Sequence, residues 1–257
     1  MLLELQSVHG GYGKKEIIKG VDFHADHGDI VCLAGPNGCG KTTLFRLILG
    51  SLPLSDGHIF IDGTDIQTLS PKERANLIAY IPQYHTPIFS YTALEVVIMG
   101  RASHFSAFKM PKSIDRQAAF HALEKVNALH LANRPYTSLS GGQRQLILIA
   151  RAICQSAKIL IMAEPAASLD YANQQRLTYV IRSLAQNGYC IIMSTHSPEH
   201  LASLGSLVLL MKDGKSASFG TSSQVITPQN LKQVYGISDC HKPPRRQTYY
   251  LSAGITA

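Results

Sequence analysis

The sequence predicts an α/β fold, a mostly parallel sheet flanked by helices, with an N-terminal antiparallel β subdomain and an inserted α-helical subdomain. Three observations carry this reading. A short apolar run over residues 29–34 enters a glycine-rich loop that leads into an amphipathic stretch over 43–49, ended by Gly50. Two further apolar runs, 158–165 and 189–194, are separated by a helical pattern, as parallel strands joined by a crossover helix are. Between His85 and about Ser156 the apolar spacing shifts to three and four, which places helices there.

The loop reads Gly35, Pro36, Asn37, Gly38, Cys39, Gly40, Lys41, Thr42, Thr43 and satisfies G-x-x-x-x-G-K-[ST] at every specified position. Gly35, Gly38 and Gly40 permit turns that aim successive N–H groups inward, and the following helix adds the positive end of its dipole. Such a cup suits anionic oxygens. Lys41 supplies a point charge for the β- and γ-phosphates of a nucleotide, and the Thr42 hydroxyl is placed to ligate Mg²⁺. The alternative is a glycine-rich turn that merely lets the strand meet the helix.

From the N-terminus, Leu3, Leu5 and Val8 followed by Gly10, Gly11, Tyr12 and Gly13 read as a strand running into a turn, and 17–23 as a second strand. Tyr12 lies upstream of the loop, where an aromatic ring stacks on a nucleobase or simply occupies a surface turn. Residues 57–63 alternate and then turn, as an antiparallel strand does, and Pro71 opens a short helix capped by Ser70. The run 77–81 is strand-like and is ended by Pro82. It delivers Gln83 to the end of a buried strand, where ligands lie in α/β sheets.

The helical part begins with 93–100 and 114–131, joined by a mixed loop over 100–111 whose aromatics serve either a docking patch or loop packing. Leu139, Ser140, Gly141, Gly142 and Gln143 then open an apolar helix over 145–154. Ser140 is a natural N-cap, and two glycines at a helix entrance allow close approach to exposed N–H groups. This is a second candidate anion site or an ordinary capped turn. The strand 158–165 ends in Glu164, a carboxylate placed to orient or deprotonate a water beside a γ-phosphate, or else to close a salt bridge. Ser168, Leu169 and Asp170 precede a helix over 172–187, and the strand 189–194 ends at Thr195 and His196. That place singles out His196 among eleven histidines. Residues 207–211, the Asp213-Gly214 turn and 216–219 read as a terminal hairpin. The division that follows is 1–84 with 157–240 for core and β subdomain, 85–156 for the helical subdomain, and 241–257 for a polar tail.

At 257 residues, 45% hydrophobic and 16% charged, the chain can bury a large core and is not a disordered segment. No apolar run reaches the about 20 residues that span a bilayer, and the N-terminus lacks a basic region followed by an apolar stretch, so the expectation is a cytoplasmic protein. The five cysteines, Cys32, Cys39, Cys154, Cys190 and Cys240, have no metal-ligand spacing and suit a reducing compartment. Cys39, inside the loop, is either a reactive thiol beside a basic group or merely tolerated there. The net charge of +7 permits attraction to nucleic acid or to an anionic membrane surface.

Tyr12, the loop Gly35 to Thr43, Gln83, the signature Leu139 to Gln143, Glu164 with Ser168-Leu169-Asp170, and His196 occur in the order found in nucleotide-binding subunits of ATP-binding cassette transporters. The sequence resembles that family over about residues 3–236. The resemblance implies a phosphate-loop ATPase core, ATP and Mg²⁺ as cofactors, and a head-to-tail homodimer. In that dimer ATP lies between one subunit's loop and the Ser140, Gly141, Gly142 and Gln143 helix entrance of the other. It also implies that Glu164 is the catalytic carboxylate, that His196 meets the γ-phosphate and attacking water, and that Tyr12 stacks on the base. Gln83 would sense metal and γ-phosphate and couple them to the helical subdomain, while Asp170 would speak across the dimer interface. Integral membrane permease subunits would dock on the helical subdomain at the cytoplasmic face of the inner membrane. A periplasmic or surface substrate-binding protein would act indirectly, and nucleic acid is not an expected partner. The stretches from Pro87 to Thr92, Met99 to Arg101 and on through Leu139 are most similar to importers of iron-siderophore, haem, cobalamin and molybdate or tungstate.

The pattern breaks once. The family carries Asp immediately before the catalytic Glu, and this chain reads Ala163-Glu164-Pro165-Ala166. The strand-end Asp of phosphate-loop ATPases helps hold Mg²⁺, and alanine contributes no oxygen. ATP binding would survive on the loop, Lys41 and Thr42, with metal placement and turnover weakened. Beside the transport motor there stand a hydrolysis-poor nucleotide switch and a non-transport cassette ATPase that binds nucleic acid.

Overall fold

Strands made almost wholly of Ile, Val, Leu, Cys and Met satisfy their composition only inside a sheet covered on both faces. The computed structural model describes residues 1–83, 90–104, 111–167, 169–195, 204 and 207–236, and it places such strands at the centre. Strands β3 (Ile30–Ala34), β7 (Ile159–Met162) and β8 (Cys190–Ser194) are buried along their whole length. With β6 (Ile78–Ile81), β9 (Leu207–Lys212) and β10 (Lys215–Thr221) they form a six-stranded sheet of order β10-β9-β3-β8-β7-β6. All neighbours are parallel except the edge strand β10, which closes the expected hairpin on β9.

Strand side chains alternate between faces, and the core divides accordingly. Cys32, Leu160, Met162, Ile191, Met193 and Leu210 join one apolar cluster, while Val31, Leu33, Ile159, Ile161, Ile192 and Leu209 join the other. The first is covered by α3 (Ala93–Ile98), α4 (Ser113–Lys125), α5 (Gly141–Cys154) and α6 (Tyr171–Gln186). The second is covered by α1 (Lys41–Ile48) and an antiparallel sheet of order β2-β1-β4-β5, formed by β1 (Leu3–Tyr12), β2 (Lys15–Ala25), β4 (Leu54–Ile61) and β5 (Thr64–Asp65).

Local chemistry sets the helix ends. Ser70 and Glu73 exchange hydrogen bonds as a capping box at the start of α2 (Pro71–Leu77), with Pro71 in the first turn. Thr92 and Glu95 repeat the device on α3. The helix expected over 114–131 stops at Lys125, because Asn127 turns left-handed at φ 55° and only a 3₁₀ turn, Leu129–Leu131, follows. The helix expected over 93–100 tightens into 3₁₀ at Met99–His104. There Gly100 lies so close to the α5 backbone that a Cβ would sit 2.2 Å from the Arg151 carbonyl oxygen. Two short helices, Ser222–Val225 and Pro228–Tyr235, follow the hairpin and were not foreseen. Ser168, His196, Cys240, residues 84–89, residues 105–110 of the 100–111 loop and the tail 241–257 lie outside the described residues.

The helical stretch is tied to the sheet at one end of α5. The Gln155 side-chain amide donates to the Ala75 and Ile78 carbonyls, the latter at 2.9 Å. Arg101 pairs with the buried Asp115 at 3.2 Å and also donates to the Cys154 carbonyl and the Ser156 hydroxyl. The Lys112 backbone N–H, with Arg101 beside it, holds the Asp115 carboxyl below its ordinary range. A depressed folded-state value contributes stability above the unfolded pKa of about 3.9 and loses it as pH falls through the lower folded value. Arg101→Ala should therefore cost about 2 kcal/mol in urea denaturation at neutral pH. The deficit relative to the unsubstituted protein should shrink as pH falls below about 3.9; a deficit that stays constant into acid would contradict the pairing.

Candidate nucleotide site

Because β3, β6, β7 and β8 run parallel, their carboxyl ends meet at one edge of the sheet, where α/β proteins bind ligands. That edge receives the 35–40 loop from β3, Gln83 from β6, Glu164 from β7 and Thr195 from β8. The Thr195 N–H donates to the Leu33 carbonyl at 3.3 Å, so the exits of β8 and β3 are pinned together. His196, next in the chain, is outside the described residues.

Steric limits explain two loop glycines. Gly35 has φ 151°, and a Cβ there would lie 2.3 Å from the Met211 carbonyl oxygen. At Gly40, φ is 110° and a Cβ would lie 2.6 Å from Ile18. Gly40 caps α1 with no side-chain hydrogen bond, leaving the first helical N–H groups to an outside acceptor. The loop is braced from within by the Cys39 N–H to the Pro36 carbonyl, and from the β9–β10 turn by the Gly214 N–H to the Cys39 carbonyl. Lys41 is buried and curls over the loop entrance, its Nζ donating to the carbonyls of Gly35 at 2.7 Å and Pro36 at 3.1 Å. Thr42 is exposed and Thr43 buried. Cys39 is buried under this lysine, its Sγ 3.8 Å from Nζ, so the thiol is packed rather than presented. Burial pushes the Cys154 and Cys190 thiols up to about 11 and about 12, which keeps them protonated.

The glutamate expected at the end of β7 is held once through its carboxylate and once through its backbone. Gln83 Nε2 donates to the Glu164 carboxylate at 3.0 Å, and the Glu164 N–H donates to Ser194 Oγ at 3.1 Å. Glu164 adopts φ 45°, a left-handed conformation that costs about 1–2 kcal/mol for a residue with a Cβ. The strain accompanies a turn out of the strand toward Gln83. Ser194 was missed in the sequence; its signal is a hydroxyl closing an otherwise apolar strand. Ala163, between β7 and Glu164, packs in the apolar cluster that contains Cys39 and Leu44, on the loop's face of the sheet. Its N–H bonds the Ile81 carbonyl at 2.9 Å. An Asp at 163 would thus face the phosphate loop. For a hard divalent cation the site offers oxygen atoms on Thr42, Gln83 and Glu164. That donor chemistry fits Mg²⁺, with one carboxylate fewer than the Ala163 position would carry.

Tyr12 ends β1 and is 43% exposed. Arg46 Nη1 donates to its hydroxyl at 2.7 Å, while the guanidinium carbon is 5.7 Å from the ring centroid. The guanidinium therefore meets both the hydroxyl and the ring of Tyr12. Tyr235, missed in the sequence and 38% exposed, meets the Gly35 backbone; the partial burial of its phenol pushes the pKa up.

The signature residues form a second group. Ser140 Oγ accepts from the Gln143 N–H at 3.3 Å, and Gln143 Oε1 accepts from the Ser140 N–H at 3.1 Å. Asp170 caps α6, taking the Asn173 N–H at 2.8 Å and the Asn173 side-chain amide at 2.9 Å. A Cβ on Gly142 would lie 2.8 Å from Asn173 Cγ, so the two helix entrances abut, whereas a Cβ on Gly141 would meet nothing within 4 Å. No hydrogen bond among the described residues joins this group to the 35–43 loop.

The family described as ABC transporter matches residues 18–167, a span that runs from β2 through the loop and signature to the residues just past Glu164. The chain belongs to this family. An ABC transporter ATP-binding protein of uncharacterized role from Haemophilus influenzae is 39% identical over 238 residues, covering 93% of this chain and 90% of its own. The molybdate import ATP-binding protein MolC of the same organism is 38% identical over 216 residues, covering 84% and 80%. A transporter described as metal-chelate type, solved in an inward-facing conformation, superposes with a TM-score of 0.81 at 34% identity over 91% of this chain and 89% of that one. ABC cassettes bind ATP and couple its hydrolysis to transport, and importer ATP-binding subunits work as dimers with membrane permease components on the cytoplasmic side. No helix among the described residues is long and apolar enough to cross a membrane.

If Tyr12 carries the base, Tyr12→Ala should weaken ATP binding about tenfold, since base–aromatic stacking contributes about 1–3 kcal/mol. Tyr12→Phe, which keeps the ring and loses the Arg46 hydrogen bond, should stay within about twofold. Titration with a fluorescent ATP analogue reads both, and equal weakening in the two variants would assign the effect to Arg46 instead.

Proposed function

We propose that this chain is the ATP-hydrolysing subunit of an ABC importer for metal chelates or oxyanions, the class of iron-siderophore, haem, cobalamin, molybdate and tungstate. The observation that carries the reading is the Gln83–Glu164 hydrogen bond at the edge of the loop. It joins the carboxylate suited to activating water to the residue from which the chain enters its helical part. The likeness to the molybdate import protein MolC and to the metal-chelate type structure supports the cargo class.

In this reading the loop N–H groups of residues 35–43 and Lys41 hold the phosphates, and Tyr12 orients the base. Glu164 takes the proton from the attacking water, with Gln83 fixing its rotamer and His196 beside the γ-phosphate. The site is completed by Ser140, Gly141, Gly142 and Gln143 of the partner subunit, with Asp170 contacting across the interface. ATP therefore favours the closed homodimer, and its hydrolysis releases it. Thr42 and Gln83, with Glu164 nearby, would hold Mg²⁺, which supplies charge neutralisation at the phosphates when bound. Residues 1–84 and 157–240 act as the ATPase core, and 85–156 carry the motion to permease subunits at the cytoplasmic face of the membrane. A substrate-binding protein outside the membrane delivers the cargo to those subunits.

Ala163 slows the hydrolytic step relative to what a carboxylate there would allow. Ala163→Asp should raise Mg²⁺-dependent ATPase activity at least about tenfold, because a misplacement of about one ångström costs on the order of a hundredfold in rate. Nucleotide affinity should change little, and equal turnover in the two proteins would remove the metal argument. Glu164→Gln should accumulate an ATP-bound dimer by size exclusion; a monomer in saturating ATP and Mg²⁺ would speak against the sandwich. For the importer role, the chain purified from its own membranes should bring with it a multi-spanning protein, and RNA in that place would overturn the assignment.

A further inference from the structure

A groove of about 580 Å³ opens between the end of α4, the first turns of α5 and the outer face of α6. Its size is that of a small-molecule site. The floor is apolar, built from Val126, Leu131 and Val180, all buried, and the half-buried Leu146. Its rim carries Arg176, His130 and Tyr179, the last 67% exposed. No Asp or Glu lines it, and neither Arg176 nor His130 forms an ion pair among the described residues. An uncompensated guanidinium at the mouth of an apolar slot favours a ligand with a flat apolar body and one anionic head. The guanidinium can take a carboxylate or sulfonate through two hydrogen bonds, and the floor takes the body.

The inner end of the groove is formed by Gln143 and Asn173. Gln143 closes the cap on Ser140, and Asn173 holds Asp170 while packing on Gly142. These are the helix entrances that face the second subunit in the sandwich dimer. We infer that this groove is an effector site for a small amphipathic anion, whose occupancy shifts the placement of Ser140–Gly142 and Asp170 and so the ease of ATP-driven dimerisation. The coupling half rests on the dimer reading above; the binding half does not. Linkage requires that an occupant altering dimerisation also bind with altered affinity when ATP closes the dimer.

The probe is 8-anilinonaphthalene-1-sulfonate, titrated by fluorescence into the full chain. One saturable site per chain is expected. Arg176→Glu, an exposed position, should weaken it at least about tenfold, as should Leu146→Trp, which fills the slot without changing charge. Lys72→Glu, the same charge change at an exposed position on α2, should stay within about twofold. Equal binding by Arg176→Glu and the unsubstituted chain overturns the site. With Glu164→Gln, saturating probe should move the ATP concentration for half-dimerisation by at least about threefold. An unmoved midpoint overturns the coupling. Absence of any ATP-dependent dimer overturns the sandwich and leaves the fluorescence titrations to decide the groove.

Discussion

A strand covered on both faces has nowhere to place a polar side chain, and its backbone groups must all be paired within the sheet. That constraint organises this cassette. Along β3, β7 and β8 every residue is buried, so polar chemistry begins only where those strands end. The parallel arrangement puts those ends together: loop, glutamine, glutamate and the Ser194 hydroxyl emerge within one edge. The site is thus a by-product of strand direction, and the strict alternation of side chains decides which face each strand-end residue addresses. Ala163 falls on the loop's face for this reason, and the missing carboxylate is missing from the place where a phosphate-bound cation would sit.

Much of the architecture was legible because it follows from short-range rules. The phosphate loop announced itself by spacing, the α5 entrance by a serine cap with glutamine three residues on, and the core strands by uninterrupted apolar runs. The misreadings have local physical causes. Apolar spacing carried the α4 pattern past Lys125, but Asn127 accepts a left-handed backbone and ends the helix. Gly100 looked like the end of an ordinary helix, and only the approach of the α5 backbone converts that segment to 3₁₀. Ser194, Asn173 and Tyr235 were passed over because their roles depend on partners 30, 31 and 200 positions away in sequence. Spacing within one element does not report such contacts. The Thr227-Pro228 cap of the last helix was a readable signal left unused.

Net charge proved the least informative quantity. A surplus of +7 left nucleic acid and membrane surfaces open, whereas the named relatives are transport proteins. The decisive information lay in six separated motifs and in the one position where they depart from the family, a single buried alanine that leaves the fold around it undisturbed and, in the reading proposed, acts on rate alone.

The near-contact between Gly100 and the Arg151 carbonyl has a mechanical meaning. With no side chain between them, the 3₁₀ segment and α5 form one stiff body, and Gln155 fastens the end of that body to the carbonyls of Ala75 and Ile78, where β6 starts. Close-packed interiors compress little. In the reading proposed above, a push on the exposed end of the helical bundle would be delivered as displacement of β6, just beyond whose far end stands Gln83, instead of being absorbed by bending. In the importer reading the cassette works as a strut, with Glu164, bonded to Gln83, at the end of its throw.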